Sequence, residues 1–297
     1  MHPRAVPRRL FAPLMVVPLA LLVACQPADP PAAAALPATM PEALQPADAP
    51  LAATGAEDAA VGLSGAAVRA YLVSQYGELA QLSGDWPGTP VAGQDLGEAP
   101  ALREVCARAG VGTVAAPAEL VAVCGIPDGA GHVTAAITDF FLLSGEPVVP
   151  AAKAHLQVFG STGDIADIEI RRFGPDLHGF VIDSGFTGQG LTVLNRSIVL
   201  PRAATFHEAA TLPGAIDNRG AMHGCAERDE CDPDAAFDVT FDFVVDNRDA
   251  AATVWPLRVR ERGEACGRQI DTTHVVPFDA ATSTWMVPAA LQREGCD

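Results

Sequence analysis

Six carboxylates crowd one short stretch of the chain: Glu227, Asp229, Glu230, Asp232, Asp234 and Asp238, set beside Cys225 and Cys231. Calcium takes about six to eight oxygen ligands and is bound by extracellular loops of this kind at roughly millimolar strength. Asp229, Glu230, Asp232 and Asp234 are the candidate ligands, and a Cys225 to Cys231 ring would lower the entropy lost in ordering them. The spacing departs from an EF-hand, which wants alternating acids, a central glycine and a closing glutamate. The other reading of such a run is a solvated charged loop.

A second carboxylate stands out for its setting. Phe180-Val181-Ile182-Asp183-Ser184-Gly185 resembles the apolar-apolar-Asp-Ser/Thr-Gly signature of aspartic proteases. In that family two aspartates share one proton and activate water. The chain holds one copy, so the resemblance implies a homodimer with the two loops meeting, and Phe186 stands where the family usually has a small residue. The plainer reading is a strand ending in an Asp-Ser-Gly turn. His207-Glu208 opens like a zinc-protease helix, but Thr211 occupies the place of the second histidine one turn later. Gly160-Ser161-Thr162-Gly163 has the wrong spacing for a serine nucleophile elbow. Gly185-Phe186-Thr187-Gly188-Gln189-Gly190 lacks the strand, fingerprint and helix of a dinucleotide site and reads as a hairpin loop. Beyond His2 at the N-terminus, the remaining histidines, His132, His155, His178, His223 and His274, are scattered singly.

At the N-terminus Arg4, Arg8 and Arg9 precede an apolar run from Leu10 to Leu22, the anatomy of an export signal. The run falls short of the about 20 residues that span a bilayer, which favours a cleaved peptide over a permanent helix. Leu22-Val23-Ala24-Cys25 closes it and resembles the lipobox of bacterial lipoproteins. The resemblance implies cleavage after residue 24, diacylglycerol on the Cys25 sulfur and a third, palmitate-type acyl chain on its freed amine, several chains together making a durable membrane anchor. Gln26 follows the cysteine where an aspartate would favour inner-membrane retention, so the implied address is the outer membrane, with the body in the periplasm or at the cell surface.

Six cysteines remain beyond Cys25: Cys106, Cys124, Cys225, Cys231, Cys266 and Cys296, an even number that suits disulfides in an oxidising compartment. The pairing stays open on sequence alone. The favoured set is sequential, Cys106 with Cys124, Cys225 with Cys231 and Cys266 with Cys296, because each pair brackets one local segment. A zinc cluster would need closer ligand pairs than Cys225 and Cys231 offer. Residues 1–24 hold three arginines and no acid, so the remainder carries 16 basic against 36 acidic residues. Such a surface repels phosphate backbones, and nucleic acid drops out as a partner. Lys153 is the only lysine, so contact with anionic headgroups is not built in, and membrane attachment comes from the lipid.

These groups must be positioned by elements of a mixed fold. Residues 25–62 are rich in alanine and proline, with Pro27, Pro30, Pro31, Pro37, Pro41, Pro46 and Pro50 spread through them, and read as a semi-rigid tether. Ser64 is a good N-cap, and Val68, Leu72, Tyr76, Leu79 and Leu82 recur at helical spacing up to Gly84. Ala101 to Ala109 and Pro117 to Cys124 read as two shorter helices carrying the first cysteine pair, which makes 63–130 a helical subdomain.

Residues 131–297 form a β-rich subdomain, with 63–297 as one domain the alternative. Strands are expected at His132–Leu143, Ala154–Phe159, Ile165–Phe173, Gly179–Asp183, Leu191–Leu200, Asp238–Val245, Thr253–Arg260, Arg268–Val276 and Thr284–Val287. Short strands joined by short turns imply a mainly antiparallel sheet or sandwich, hence an α+β fold stapled by disulfides. One hairpin can be registered: Asp242 opposite Arg258, Asp238 opposite Arg262 and Phe243 opposite Leu257. The leading expectation for function is a membrane-anchored, non-enzymatic envelope module that binds or scaffolds an envelope protein or glycan. A tethered hydrolase centred on Asp183 and a calcium-stabilised recognition module are the alternatives.

Overall fold

The computed structural model describes residues 60–89, 100–127, 129–131, 134–160, 163–222 and 235–292. They belong to one compact unit, Gly55–Asp297. Val61 opens it by bridging to Gly112, each N–H reaching the other's carbonyl at 2.9 and 3.1 Å. Helix α1 (Gly65–Tyr76) follows, capped by Ser64, whose side chain accepts from the Ala67 N–H at 3.2 Å. It ends earlier than expected. Gly77 takes φ 89°, a backbone region costly for residues with a Cβ, and returns its N–H to Val73 at 2.8 Å. Leu79 is left exposed rather than continuing the apolar stripe.

Everything else of length is strand. β1 (Trp86–Pro87), β2 (Pro100–Gly110), β3 (Ala118–Pro127), β4 (Ala136–Ser144) and β5 (Val149–Phe159) form a five-stranded antiparallel sheet in chain order. β6 (Asp167–Arg172), β7 (His178–Gly188), β8 (Leu191–Arg202), β9 (Thr205–Asp217), β10 (Phe237–Val245), β11 (Leu257–Ala265) and β12 (Arg268–Val276) form a seven-stranded one, also in chain order. β13 (Phe278–Asp279) and β14 (Thr284–Trp285) make a small terminal hairpin. No helix among the described residues is long and apolar enough to cross a membrane.

The two expected helices, Ala101 to Ala109 and Pro117 to Cys124, are strands β2 and β3. Ala, Leu, Arg and Glu give the first stretch a helical bias, but a strand slot beside β3 overrides propensity, which is weak next to packing. The second is an unbroken apolar run, the pattern shared by a buried helix and a central strand; β3 lies between β2 and β4 and is buried from Glu119 to Gly125. The helical subdomain therefore shrinks to α1. A boundary after residue 130 would divide β3 from β4, which are paired from Ala118 with Ser144 to Gly125 with Ile137.

Three apolar layers hold the fold. Val68, Tyr71, Leu72 and Tyr76 of α1 pack on Val121, Val123, Phe141 and Leu143 of the five-stranded sheet. The opposite face of that sheet, with Leu120, Ala122, Cys124 and Phe140, meets Ile168, Phe180, Ile182, Val199 and Phe206 of the seven-stranded one, giving a sandwich-like core. Phe140 sits at its centre, 4.6 Å from the Phe180 ring and 5.8 Å from Phe206. Burying each such side chain contributes about 1.5–3 kcal/mol. The third layer lies within the seven-stranded sheet, where Val181, Ile198, Leu200 and Leu212 pack with Phe237, Val239, Phe241, Phe243, Leu257 and Val259. β10 pairs with β9 over only three residues, Asp238 to Thr240, which frees it to fold across β8.

The β10–β11 hairpin keeps its expected faces in a register two residues away. Asp242 stands opposite Arg260 and Phe243 opposite Val259, while Asp238 faces Glu264. A shift of two preserves which side chains are buried. It arises because Trp255 leaves the strand, its N–H bonding Phe173 at 2.8 Å, and Pro256 closes the turn on the Asp246 N–H at 2.9 Å. Asp242 pairs with Arg262, and Asp238 takes Arg219 instead, at 2.7 Å.

Candidate functional site

The residues singled out for chemistry are dispersed. Asp183 lies inside β7, which continues through Ser184 and Gly185 to Gly188 before turning at Gln189-Gly190. Its cross-strand partner is Arg196, whose Nε and Nη2 donate to the two carboxylate oxygens at 2.6 and 2.8 Å. That bond, ahead of the cost of burial, raises the Arg196 pKa. Both oxygens are thus taken by a guanidinium, the geometry of an ion pair rather than of a proton-sharing dyad. Arg196 also reaches the Phe241 carbonyl at 3.2 Å, so the pair ties β7 and β8 to β10.

His207 and Glu208 sit in strand β9, not in a helix, and point to opposite faces. His207 Nε2 is 2.8 Å from the Ser283 carbonyl oxygen, and Glu208 accepts from Ser197 and Thr211 at 2.6 and 2.5 Å. Cys106 and Cys124 form the expected disulfide with Cα atoms 5.8 Å apart, but it joins neighbouring strands of one sheet. Cys106 is the extra residue where β2 bulges, since Val105 pairs with Val123 and Ala107 with Ala122. Cys266, in the β11–β12 turn, is also disulfide-bonded. Cys25, Cys225, Cys231 and Cys296 lie outside the described residues, as do the calcium candidates Asp229, Glu230, Asp232 and Asp234. Among the described residues no cluster of three metal-ligating side chains occurs.

Two charged arrangements emerge that sequence reasoning did not single out. The first is buried under α1. Asp139, in β4, accepts from the Tyr76 hydroxyl at 2.7 Å and the Arg103 guanidinium at 2.9 Å on one oxygen, and from the Leu156 N–H at 2.8 Å on the other. His155 Nδ1 lies 3.4 Å from that second oxygen. The backbone is built for it: Thr138 pairs with Gln157 and Phe140 with Ala154, so His155 and Leu156 together oppose Asp139 in a bulge, with Leu156 at φ 57°.

Burial alone would push the Asp139 carboxyl up, but His155, Arg103, Tyr76 and the Leu156 N–H outweigh it and hold the pKa below the ordinary range. A depressed carboxylate stabilises the fold above its unfolded pKa and loses that contribution as pH falls through the folded one. Arg103 and Asp139 are both fully buried, and the Arg103 guanidinium lies 4.8 Å from the Tyr76 ring centroid. The network stitches α1, β2, β4 and β5 together.

The second arrangement is on the opposite face of the same sheet. Leu102 pairs with Ile126 and Glu104 with Cys124 across β2 and β3, so these four side chains share a face. The β3–β4 turn at Gly129 and Ala130, the β5–β6 connection at Gly163 and Ile165, and the Gly84-Asp85 approach to β1 rise around them. The result is a cleft of ≈ 550 Å³, inside the range of about 300–1,000 Å³ typical of small-molecule sites. Its walls are mainly apolar, its floor carries a disulfide sulfur, and Asp85 and Glu104 are its only acidic side chains among the described lining residues. Leu102 is 49% exposed there. The Arg103 side chain does not serve the cleft, because alternation sends it to Asp139 on the other face. Among the described residues no ion pair neutralises Glu104 or Asp85.

Comparison of the chain with protein-family models, with curated proteins and with solved structures finds no match. The functional reading therefore rests on this geometry and on the sequence.

Proposed function

We propose that this chain is a lipoprotein of the cell envelope, anchored to the outer membrane through acylated Cys25, with a β-rich body that acts as a non-enzymatic binding or scaffold module. The observation that carries the binding half is the cleft on the β2–β3 face. It is concave and mostly apolar, with few polar groups, the composition of a recognition site. No nucleophile with an adjacent base lines it among the described residues. The Cys106–Cys124 disulfide supports the exported half, since structural disulfides persist in oxidising compartments and are rare in the cytosol. Asp183, fully engaged by Arg196, gives the hydrolase alternative no support from its geometry.

The two halves separate experimentally. Labelled palmitate should be incorporated into the full-length chain in an envelope-bearing host and be lost in Cys25→Ser, with the variant released from the membrane fraction. Continued labelling of the variant would remove the anchor from the reading. A photocrosslinker at Leu102 should capture a defined envelope component in intact cells, and one at Val275, exposed on β12, should not. Equal or absent capture at the two positions would remove the cleft.

A further inference from the structure

The ligand chemistry of the cleft follows from how charge is divided across the sheet, and the inference rests on the binding reading above. Arg103 and Glu104 are consecutive in β2, where alternation parts the two side chains, and Asp85, just before β1, lines the cleft while its neighbour Trp86 does not. Arg103 and Trp86, paired across β1 and β2, go to the helix side and are buried. Asp85 and Glu104 are left on the cleft side with Leu102 and Ile126. The fully buried carboxylates of the described body each have a partner: Asp139 has Arg103, Glu119 has Arg108 and Glu261 has His274. Glu104, half-buried and opposite Cys124, has none among the described residues.

We propose that the cleft binds a small cationic amphiphile: an apolar body against Leu102, Ile126 and Ile165, with a single ammonium or guanidinium group held between Glu104 and Asp85. Two carboxylates that meet no counter-charge among the described residues, beside an apolar wall, are complementary to that pairing of features. A carboxylate-to-ammonium contact there is charge-assisted and partly screened from water, which makes it stronger than a neutral hydrogen bond. A neutral ligand leaves both carboxylates uncompensated, and an anionic one is repelled, so selectivity comes as much from rejection as from attraction. The cleft volume admits a one- or two-ring or short-chain body and leaves no room for a folded domain.

The test uses three probes that share one body, 1-naphthylmethylammonium, 1-naphthylmethanol and 1-naphthoate, titrated calorimetrically into the full chain and into Glu104→Gln and Asp85→Asn. The ammonium probe should bind about tenfold more tightly than the alcohol, and Glu104→Gln should erase that advantage while leaving alcohol binding unchanged. Asp85→Asn, at the more exposed rim, should have the same direction and a smaller size, and added salt should weaken only the ammonium probe. Equal binding of ammonium and alcohol, or an advantage that survives both substitutions, overturns the cationic assignment and leaves the cleft a binding site. Failure of all three probes to bind overturns the cleft reading itself. An unchanged melting profile of each variant establishes that a lost titration reports the site.

Discussion

On the helix side of the five-stranded sheet, Asp139 is surrounded by a guanidinium, a phenol, an imidazole and a backbone N–H, whereas on the cleft side Glu104 and Asp85 meet no cation among the described residues. β2 contributes to both, Arg103 to the Asp139 side and Glu104, one residue on, to the cleft. A buried charge is tolerable only when paired and hydrogen-bonded, so the Asp139 side had to be completed by the fold itself. The cleft side can leave its carboxylates unmatched because water reaches them. A complete network reads as structure, and an incomplete one at a concave apolar surface reads as a place reserved for something else.

The comparison breaks most visibly at Asp139. Asp139→Asn keeps the shape but takes the Asp139 carboxylate away from the buried, charged Arg103, and breaking a buried pair in this way costs about 3–5 kcal/mol. Chemical denaturation at neutral pH measures it. Replacing both partners, Arg103→Met with Asp139→Leu, should cost less than the single change, because no buried charge then loses its opposite at Asp139. A single variant as stable as the native chain would show that the network is not what joins α1 to β2, β4 and β5.

A smaller effect lies beside it. The Tyr71 hydroxyl is buried with no hydrogen-bond partner among the described residues, and burial pushes its pKa from 10.0 up to about 12. Tyr76 is also raised well above the ordinary phenol value, by burial and then by the negative charge of Asp139. Both phenols are held neutral in the folded state and ionise more easily in the unfolded one. Their contribution is therefore complete below pH 10 and is lost as pH climbs from the unfolded value through the folded values. Tyr71→Phe removes an unsatisfied hydroxyl, so it should raise stability by about 1 kcal/mol at neutral pH and flatten the alkaline decline. Melting curves between neutrality and strong alkali check both; a loss of stability at neutral pH would mean that the hydroxyl has a partner.

How far the sequence foretold this arrangement depended on whether local chemistry or long-range packing decided each element. β12 runs from Arg268 to Val276 as expected because Cys266-Gly267, at φ 56° and 67°, makes a two-residue turn that fixes the register of its hairpin. The Cys106–Cys124 bond was legible from proximity in the chain even though its strands were misread as helices. β9 was missed because two extra residues, Ala209 and Gly214, break its alternation, and His207-Glu208-Ala209-Ala210 imitates a helix. Asp139 left one local trace, a lone acid within the apolar run of β4, but its partners come from α1, β2 and β5. The cleft left less, since it is assembled from β2, β3, two connections and the approach to β1, and only the folded sheet shows that Glu104 and Arg103 part company.

The smallest predicted effect is the sharpest for the comparison. Glu104→Gln preserves side-chain length on the cleft face and removes a charge that the described fold does not pair, so stability should move by less than about 0.5 kcal/mol, as at surface positions without a specific role. Denaturation of this variant beside Asp139→Asn then compares two carboxylate-to-amide changes on opposite faces of one sheet. If Glu104→Gln proves as damaging as Asp139→Asn, Glu104 is serving the fold rather than a ligand, because a carboxylate kept for an absent cation has nothing to lose when no cation is bound.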